Sequence, residues 1–309
     1  MIRRDKMNLL DYYKKAMKNN FALGAINFCN MESLQGIIEA CKETSSPMII
    51  AVSESALNYM GNFTTALASA GKKDFPHLFL HLDHGKNFDI CKKAVDMGFD
   101  SVMIDGSSLP YEENIALTQK VCEYAHSKNV FVEGELGQLQ GIEDNVQSDR
   151  SHYTCPKQAK EFVMRTNVDS LAVAIGTSHG AYKYSGEKTL RFDILSEIES
   201  LLPSFPLVLH GASSVDTSLI ERINKYGGDL SKASGIPKNL LEKAVKEHNI
   251  VKINTDTDIR LAVTSQVRQV LAENPKEFDP RKYLGSGREQ IRNLVIDKIN
   301  NVFFSNNQI

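Results

Sequence analysis

The chain alternates between short, nearly continuous apolar runs and longer segments whose apolar residues recur with helical spacing. Near-continuous hydrophobicity over a few residues is typical of parallel strands that are buried on both faces. The intervening segments, such as NFDICKKAVDMGF and EENIALTQKVCEYAHSK, have the periodicity of amphipathic helices. The pattern predicts eight strands, each followed by helical sequence, and these strands begin near Phe21, Pro47, His77, Ser101, Val130, Ser170, Pro206 and Ile250.

Eight strand–helix units predict an α/β fold, the closed (β/α)8 or TIM barrel. An open doubly wound sheet is the alternative, but it usually has fewer strands and a glycine-rich fingerprint after the first one. The first strand here ends in INFCN, without that fingerprint. No Pro/Ser-rich linker interrupts the pattern, so residues 1–309 are interpreted as a single domain, with extra C-terminal helical sequence from about Pro275. The longest non-periodic stretch, about residues 137–155, is expected to be a mobile active-site loop.

Polar residues collect where the predicted strands end. Barrel active sites lie at the carboxyl ends of the strands, and five of the eight predicted strands end in ionisable or metal-binding side chains. These side chains are Asp83 and His84, Glu133 and Glu135, Ser178 and His179, His210 and Ser213, and Asn254, Asp256 and Asp258. Three neutral imidazoles with an open fourth position form a catalytic zinc arrangement. The candidate ligands are His84, His179 and His210, whereas His81 is expected to point into the barrel as structural support.

Small residues flank the same rim. Gly176, Gly180 and Gly211 leave room for backbone amides to approach an anion. Barrels commonly bind phosphate at the loops after strands seven and eight, and these loops read HGASS and NTDTD here. Lys183, four residues after His179, adds a compact positive charge. The sequence therefore predicts a phosphate site beside the metal.

Composition and charge narrow the class of protein. The 309 residues carry a formal net charge of −2, so no polybasic surface for nucleic acid is expected. No apolar run approaches the roughly 20 residues that span a membrane, and the N-terminus MIRRDKMNLLDYYKK lacks an apolar signal core. Five scattered cysteines without a C-x-x-C pair are typical of reduced cytoplasmic thiols. The remaining histidines are interpreted as surface residues: His77, His126, His152 and His248.

Six motifs, in order along the chain, carry a family resemblance: HLDHG, VEGELGQLQGIEDN, AIGTSHGAYK, LVLHGASS, KINTDTDIR and FDPRKYL. Together they resemble the class II, zinc-dependent fructose-bisphosphate aldolases, in the shorter branch that shares its pattern with tagatose-bisphosphate aldolases. The resemblance runs from about Asn8 to the C-terminus. It implies zinc-dependent, reversible cleavage of fructose 1,6-bisphosphate into dihydroxyacetone phosphate and glyceraldehyde 3-phosphate, a step of glycolysis and gluconeogenesis. The sequence departs from the family at GSSLP, where relatives often carry a histidine after the first serine.

The resemblance also implies roles in metal binding and proton transfer. Asp83 matches the acid that exchanges a proton with the C4 hydroxyl of the sugar. Glu143, in GIED, matches the glutamate of the mobile loop that takes a proton from dihydroxyacetone phosphate, and Glu135 matches a carboxylate near the metal. The zinc ligands of the family match His84, His179 and His210.

Further matches concern the substrate and the assembly. Arg260 and Arg281 match arginines that hold the distal phosphate, at least one of them from a neighbouring subunit, so a homodimer or homotetramer is implied. The family also binds a monovalent cation, Na⁺ or K⁺, near the phosphate. Asn27 and Ser53 match substrate-side positions on the first two strands. Positions around the ketose phosphate match Gly180, Lys183, Gly211, Ser213, Asn254, Asp256 and Thr257.

Several alternative functions stay open on the residues alone. Tagatose 1,6-bisphosphate differs from the fructose substrate only at C4, and no single residue decides between the two sugars. A lysine Schiff base would use Lys252, the only strand lysine near the rim. A zinc hydrolase would usually carry an H-x-H pair on the first strand, where this chain has INFCN. A barrel that only binds zinc and sugar phosphates would need neither Asp83 nor Glu143 as a proton carrier.

Overall fold

Eight parallel strands close into a barrel, so the predicted (β/α)8 architecture is confirmed. The computed structural model describes residues 7–137, 141–143, 146–148, 153–177, 189–230 and 235–309. The barrel strands and a separate hairpin, in chain order, are β1 (Leu23–Asn27), β2 (Met48–Ser53), β3 (Leu78–Gly85), β4 (Ser101–Ile104), β5 (Phe131–Leu136), β6 (Gly141–Glu143), β7 (Val146–Ser148), β8 (Ser170–Val173), β9 (Leu207–Leu209) and β10 (Ile250–Thr255). Within the described part of the chain, strands β6 and β7 pair with each other, in antiparallel orientation, and the other eight strands form the barrel.

Helices surround the barrel, and their first turns follow ordinary capping rules. Asn8 and Asn30 each form a capping box with the residue three positions later, which satisfies backbone N–H groups at the helix start. Asp279 caps the last long helix, and Pro280 occupies its first turn, where a missing N–H costs nothing. The described helices are α1 (Leu9–Asn19), α2 (Met31–Thr44), α3 (Glu54–Met60), α4 (Phe63–Asp74), α5 (Phe88–Asp96), α6 (Tyr111–His126), α7 (Pro156–Thr166), α8 (Phe192–Leu201), α9 (Thr217–Lys225), α10 (Lys238–Glu247), α11 (Thr257–Glu273) and α12 (Pro280–Lys298), which continues into a π-helical turn (Ile299–Phe303).

One end of the barrel is closed by an apolar cluster. Helix α1 buries Tyr12 and Tyr13 in a cluster with Leu23, Phe79 and Val251, which lie in the first half of their strands. The main core lies between the outer faces of the strands and the surrounding helices. Because the amino-terminal end is filled with apolar side chains, the open end is the carboxyl rim, where the sequence predicts the site.

The extra C-terminal helical segment is present as α12, which packs against α2 and α11. Three histidines differ from their interpretation as surface residues, and one of them, His126, is half-buried and bonds Asp169 over 2.9 Å. His77 is half-buried, and its Nδ1 shares a hydrogen bond with the Tyr12 hydroxyl over 2.7 Å; His248 bonds Glu199 over 2.9 Å while it stacks on Phe192. These side chains have bonding partners on neighbouring elements, which sequence spacing alone does not show. Among the described residues, no helix is long and apolar enough to cross a membrane.

Candidate active site at the carboxyl rim

A bulge at the end of β3 brings two adjacent residues to the same rim. On a regular strand, Asp83 and His84 would point to opposite faces. The pairing of β3 with β4 shifts register between Leu82 and Gly85, and His84 has a φ of 48°, which is uncommon for a residue other than glycine. A Cβ on Gly85 would lie 2.7 Å from the carbonyl oxygen of Met103, so the bulge also requires glycine here. The bulge re-aims the His84 side chain, and ligand atoms of Asp83 and His84 lie in one cluster.

The His84 ring is held by carboxylates. Its Nδ1 bonds Oδ2 of Asp105 over 2.8 Å, and Oε2 of Glu135 lies 3.5 Å away. Burial would lower the pKa of His84, but the hydrogen bond to Asp105 and the charges of Asp83 and Glu135 raise it well above its usual value. In the neutral ring, Nδ1–H donates to Asp105, so Nε2 is the nitrogen that would bind a metal.

Asp105 links this ligand to the GSSLP segment. Its Oδ1 accepts hydrogen bonds from the backbone N–H of Ser107 over 3.1 Å and from the Ser107 hydroxyl over 2.7 Å. Burial would raise the pKa of Asp105, but these bonds and the His84 ring hold it below its usual value. Sequence reasoning missed Asp105, although it follows β4 directly, at a position equivalent to the polar ends of the other strands. The departure at GSSLP therefore begins next to a residue that contacts His84, the first candidate metal ligand.

The His210 ring is supported from inside the barrel. Its Nε2 donates to Oε1 of Glu133 over 2.7 Å, and its Nδ1 lies 3.8 Å from Oδ1 of Asp83. Lys252 Nζ donates to both Glu133 oxygens, over 3.0 and 2.8 Å, with both side chains buried. Burial lowers the pKa of His210 despite the bond to Glu133. Burial would raise the pKa of Glu133, but Lys252 and His210 lower it.

His81 fills the remaining space below the rim. It is 1% exposed, its Nδ1 bonds the Ser101 hydroxyl over 2.8 Å, and Lys252 Nζ lies 3.2 Å from its Nε2. Burial and the Lys252 charge lower the pKa of His81 to about 3, so the ring is neutral at ordinary pH. The sequence did not reveal that Glu133 and Lys252 form a pair. Each lies two residues before a rim residue on its strand, so its side chain points into the barrel like that of the rim residue. Their pairing leaves Lys252 engaged inside the barrel, which argues against a Schiff-base role.

The Asp83 carboxylate lies between two asparagine amides. Asn27 Nδ2 donates to Oδ2 over 2.9 Å, and Asn254 Nδ2 donates to Oδ1 over 2.8 Å. Both asparagines are buried, and they come from β1 and β10, which are neighbours in the barrel. The amide oxygen of each asparagine has no hydrogen-bond partner among the described residues. Buried polar atoms are normally paired, so these two oxygens indicate a place for a polar ligand.

The donor set fits a divalent metal ion. One ligand atom each from Asp83, His84 and His210 lies within 4.8 Å of the others, and a second group of the same kind combines His84 with Asp105 and Glu135. The His84 and His210 ring centroids are 4.6 Å apart. Imidazole and carboxylate ligands suit first-row transition metals, and each ring has the carboxylate support that metal-binding histidines normally have. Glu135 is buried next to this group, and burial and the nearby Asp105 raise its pKa well above the usual value.

A cavity of about 400 Å³ is lined by the ends of β1 and β2 and the start of α11, and it includes Asn27, which bonds Asp83. Asn27, Ser53, Asp256 and Arg260 line it. Arg260 forms two bonds to Asp256, over 2.9 and 2.6 Å, and its side chain is 55% exposed, so its charge lies at the cavity mouth. Thr257 begins α11 directly beside this lining.

The other candidate residues fall in different places. Gly211 and Ser213 lie on the loop after β9, where Ser213 is buried and Gly211 has a φ of 59°. Arg281 is 89% exposed on α12, pairs with Asp279, and does not occur among the described residues that line the cavity. Glu143 lies on β6, but its side chain is outside the described part of the chain. Three further candidates lie outside the described residues altogether: His179, Gly180 and Lys183.

The fold and the donor set define the class of (β/α)8 barrels with a candidate metal site at the carboxyl rim. The family of class II fructose-bisphosphate aldolases matches residues 7–308. The fructose-bisphosphate aldolases of Treponema pallidum and Thermus caldophilus are 46% and 47% identical to this chain, over 94% and 93% of it and 94% of each relative. The chain therefore belongs to the class II fructose-bisphosphate aldolase family.

Solved structures agree with this assignment. The YdjI aldolase of Escherichia coli superposes with a TM-score of 0.77 at 28% identity, over 97% of this chain and 98% of that chain. A Coccidioides immitis structure superposes with a TM-score of 0.80 at 26% identity, over 98% of both chains. The barrel, including the helices around it, is thus shared over nearly its whole length.

Proposed function

We propose that this protein cleaves fructose 1,6-bisphosphate reversibly into dihydroxyacetone phosphate and glyceraldehyde 3-phosphate, as a zinc-dependent aldolase of glycolysis and gluconeogenesis in the cytoplasm. One observation carries the proposal. The Asp83 carboxylate is fixed by the Asn27 and Asn254 amides within 2.9 Å, beside the two supported rings of His84 and His210. A fixed carboxylate next to a metal site is what proton transfer at a metal-polarised sugar requires.

Zinc would be held by His84, His210 and His179. Three neutral imidazoles leave the ion its positive charge, and when bound it polarises the C2 carbonyl of the ketose as a Lewis acid. Asp105 and Glu133 orient two of the ligand rings through their other nitrogens. Glu135, 3.5 Å from His84, adds a carboxylate near the ion.

Asp83 and Glu143 would handle the two protons of the reaction. In cleavage, Asp83 accepts the proton of the C4 hydroxyl while the C3–C4 bond breaks, which releases the aldehyde and leaves the electron pair in the enediolate of dihydroxyacetone phosphate. Glu143 then delivers a proton to C3, and in condensation it removes this proton again. The amides of Asn27 and Asn254 keep the Asp83 carboxylate in one orientation, as a general base needs. Residues 137–155, which carry Glu143, would act as the mobile loop of this single domain.

Phosphates and neighbouring subunits complete the proposed site. Arg260 lines the cavity together with Asn27 and Asp256 and would bind the distal phosphate. Arg281 is 89% exposed and is not among the described residues that line that cavity; it would reach the site of a second subunit, so a homodimer or homotetramer is proposed. A monovalent cation, Na⁺ or K⁺, would accompany the ketose phosphate. The other substrate-binding residues would be Asn27, Ser53, Gly180, Lys183, Gly211, Ser213, Asn254, Asp256 and Thr257.

A cleavage assay with metal removal tests the function. Chelation of the zinc should abolish cleavage, and added zinc should restore it. Asp83→Asn should keep its zinc content but lower kcat by about 10²- to 10⁴-fold, the usual contribution of general acid–base catalysis. Activity that survives chelation and is lost with borohydride plus substrate would reject the zinc mechanism. A higher kcat/KM for tagatose 1,6-bisphosphate, which differs at the carbon next to Asp83, would reassign the sugar.

A further inference from the structure

A buried ion pair joins the end of α12 to the first turn of α11, and both of its members bond the loop that follows β9. Lys298 Nζ lies 2.6 Å from Oδ2 of Asp258, and each side chain is 1% exposed. Lys298 also donates to the Ser214 hydroxyl over 2.9 Å. The Asp258 carboxylate accepts hydrogen bonds from the backbone N–H of Val215 over 2.8 Å and of Ser214 over 3.1 Å. The pair therefore binds two consecutive peptide groups directly after Ser213.

The backbone of this loop has an unfavourable shape that the pair stabilises. Val215 has a φ of 39°, in the left-handed region that β-branched residues rarely adopt. Such conformations persist only where the surroundings hold them. The opposite side of the loop is equally constrained, since Ile236 N–H donates to the Ser213 carbonyl over 3.0 Å and a Cβ on Gly235 would lie 2.2 Å from the Ser214 carbonyl carbon.

Asp258 also belongs to the second segment of the proposed phosphate site. It lies in the first turn of α11, between Thr257 and Arg260, and its side chain is fully buried. One carboxylate thus joins the loop after β9 to the start of α11, and Lys298 neutralises it from α12. A buried ion pair costs desolvation and is weak evidence for stability alone, which points to a role in geometry.

We propose that Asp258 and Lys298 are positioning residues for the ketose phosphate: they hold the loop of residues 211–215 so that Gly211 and Ser213 face the phosphate. This inference rests on the proposed function, because it assigns the phosphate to that loop. Neither residue touches the substrate. Their effect passes through the backbone of Ser214 and Val215.

Calorimetric titration of the zinc-loaded enzyme with dihydroxyacetone phosphate, and separately with inorganic phosphate, tests the proposal. Lys298→Met should weaken binding of both ligands by about 10- to 100-fold, since a displacement of about 1 Å in a positioned group can have an effect of this size. The zinc dissociation constant should not change, and KM should rise by a larger factor than kcat falls. Lys298→Arg should recover most of the affinity, because it restores a cation at the same place. The matched control is Lys238→Met, which removes an exposed ion pair between α10 and Asp297, the residue before Lys298 on α12. This variant should bind both ligands like the wild type.

The outcomes separate this inference from the proposed function. A folded Lys298→Met variant with wild-type affinity for both phosphate ligands, whatever its melting temperature, would overturn the positioning role. Should that variant fail to fold, Asp258→Asn serves in its place, because it removes the charge but keeps an acceptor for one of the two N–H groups. Wild-type affinity of Asp258→Asn for both phosphate ligands would likewise overturn the positioning role. Failure of the wild-type enzyme to bind dihydroxyacetone phosphate or to cleave the bisphosphate would instead reject the function itself.

Discussion

Two buried lysine–carboxylate pairs support neighbouring parts of the site, and they do so by different means. Lys252 and Glu133 lie inside the barrel, where Glu133 bonds the side chain of His210. Lys298 and Asp258 lie behind the loop after β9, where Asp258 bonds backbone N–H groups. The first pair orients a ring, and the second holds a loop in shape. A histidine ring that is a candidate metal ligand is oriented by a hydrogen bond to its other nitrogen. A phosphate site built from backbone groups is instead oriented by hydrogen bonds to the backbone of its loop.

The largest effect is expected when the inner pair loses its cation. Lys252→Met leaves the fully buried Glu133 without its ion-pair partner, and breaking a buried pair from one side typically costs about 3–5 kcal/mol of folding free energy. Urea unfolding monitored by circular dichroism measures this cost. The double variant Lys252→Met/Glu133→Gln, which removes both charges, should recover part of the loss. A cost of the single variant below about 1 kcal/mol would mean that water or a neighbouring group already compensates Glu133.

Removal of the inner carboxylate should affect the metal and spare the phosphate. Glu133→Gln keeps the size of the side chain but loses the charge that accepts the His210 Nε2–H bond. Loss of such a support typically weakens metal binding by about 10- to 100-fold. Competition with a chelating dye measures the zinc dissociation constant, and inorganic phosphate binding should stay within about twofold of the wild type. If the variant lost zinc affinity and phosphate affinity equally, the Lys252–Glu133 pair would not act on the metal site alone, and the contrast between the two pairs would be wrong.

The hydrophobic pattern predicted the barrel because eight buried strands and eight intervening helical segments leave few other arrangements. It also predicted the rim, since the carboxyl ends of parallel strands lie together. It did not predict the bulge that turns His84 toward Asp83, because a local register shift leaves no mark in hydrophobicity. The β6–β7 hairpin is similarly invisible, because strands of three residues are too short for an alternating pattern.

The supporting pairs escaped prediction for a different reason. Asp258 and Lys298 are 40 residues apart and belong to two helices, so only the packing of α11 and α12 joins them. Lys252 and Glu133 are separated by more than a hundred residues. Asn27 and Asn254 were predicted as substrate-side residues, and their bonds to Asp83 became apparent only with the pairing of β1 and β10. Spacing predicts which residues reach the rim, whereas their bonding partners depend on the closed barrel.

The smallest predicted effect concerns pH and distinguishes the two ligand rings. Glu133 is neutralised by Lys252, and the pKa of His210 is lowered by burial, whereas the carboxylates around His84 raise its pKa. A metal binds the neutral ring, so it must displace a proton from His84 at any pH below this raised pKa. The zinc dissociation constant should therefore rise by up to about tenfold per pH unit as pH falls through that range, and it should level off above it.

Asp105→Asn tests the cause of this pH dependence. Without the Asp105 charge, the His84 ring loses the hydrogen bond that contributes most to its raised pKa, so this pKa falls and the level region of the zinc dissociation constant should extend to lower pH. Glu133→Gln is the matched control, because it weakens zinc binding without touching His84 and should keep the wild-type slope. Titrations in buffers with different ionisation enthalpies count the protons released on binding. If both variants keep the wild-type slope, the protons come from a group other than His84, and the contrast between the two rings does not govern metal binding.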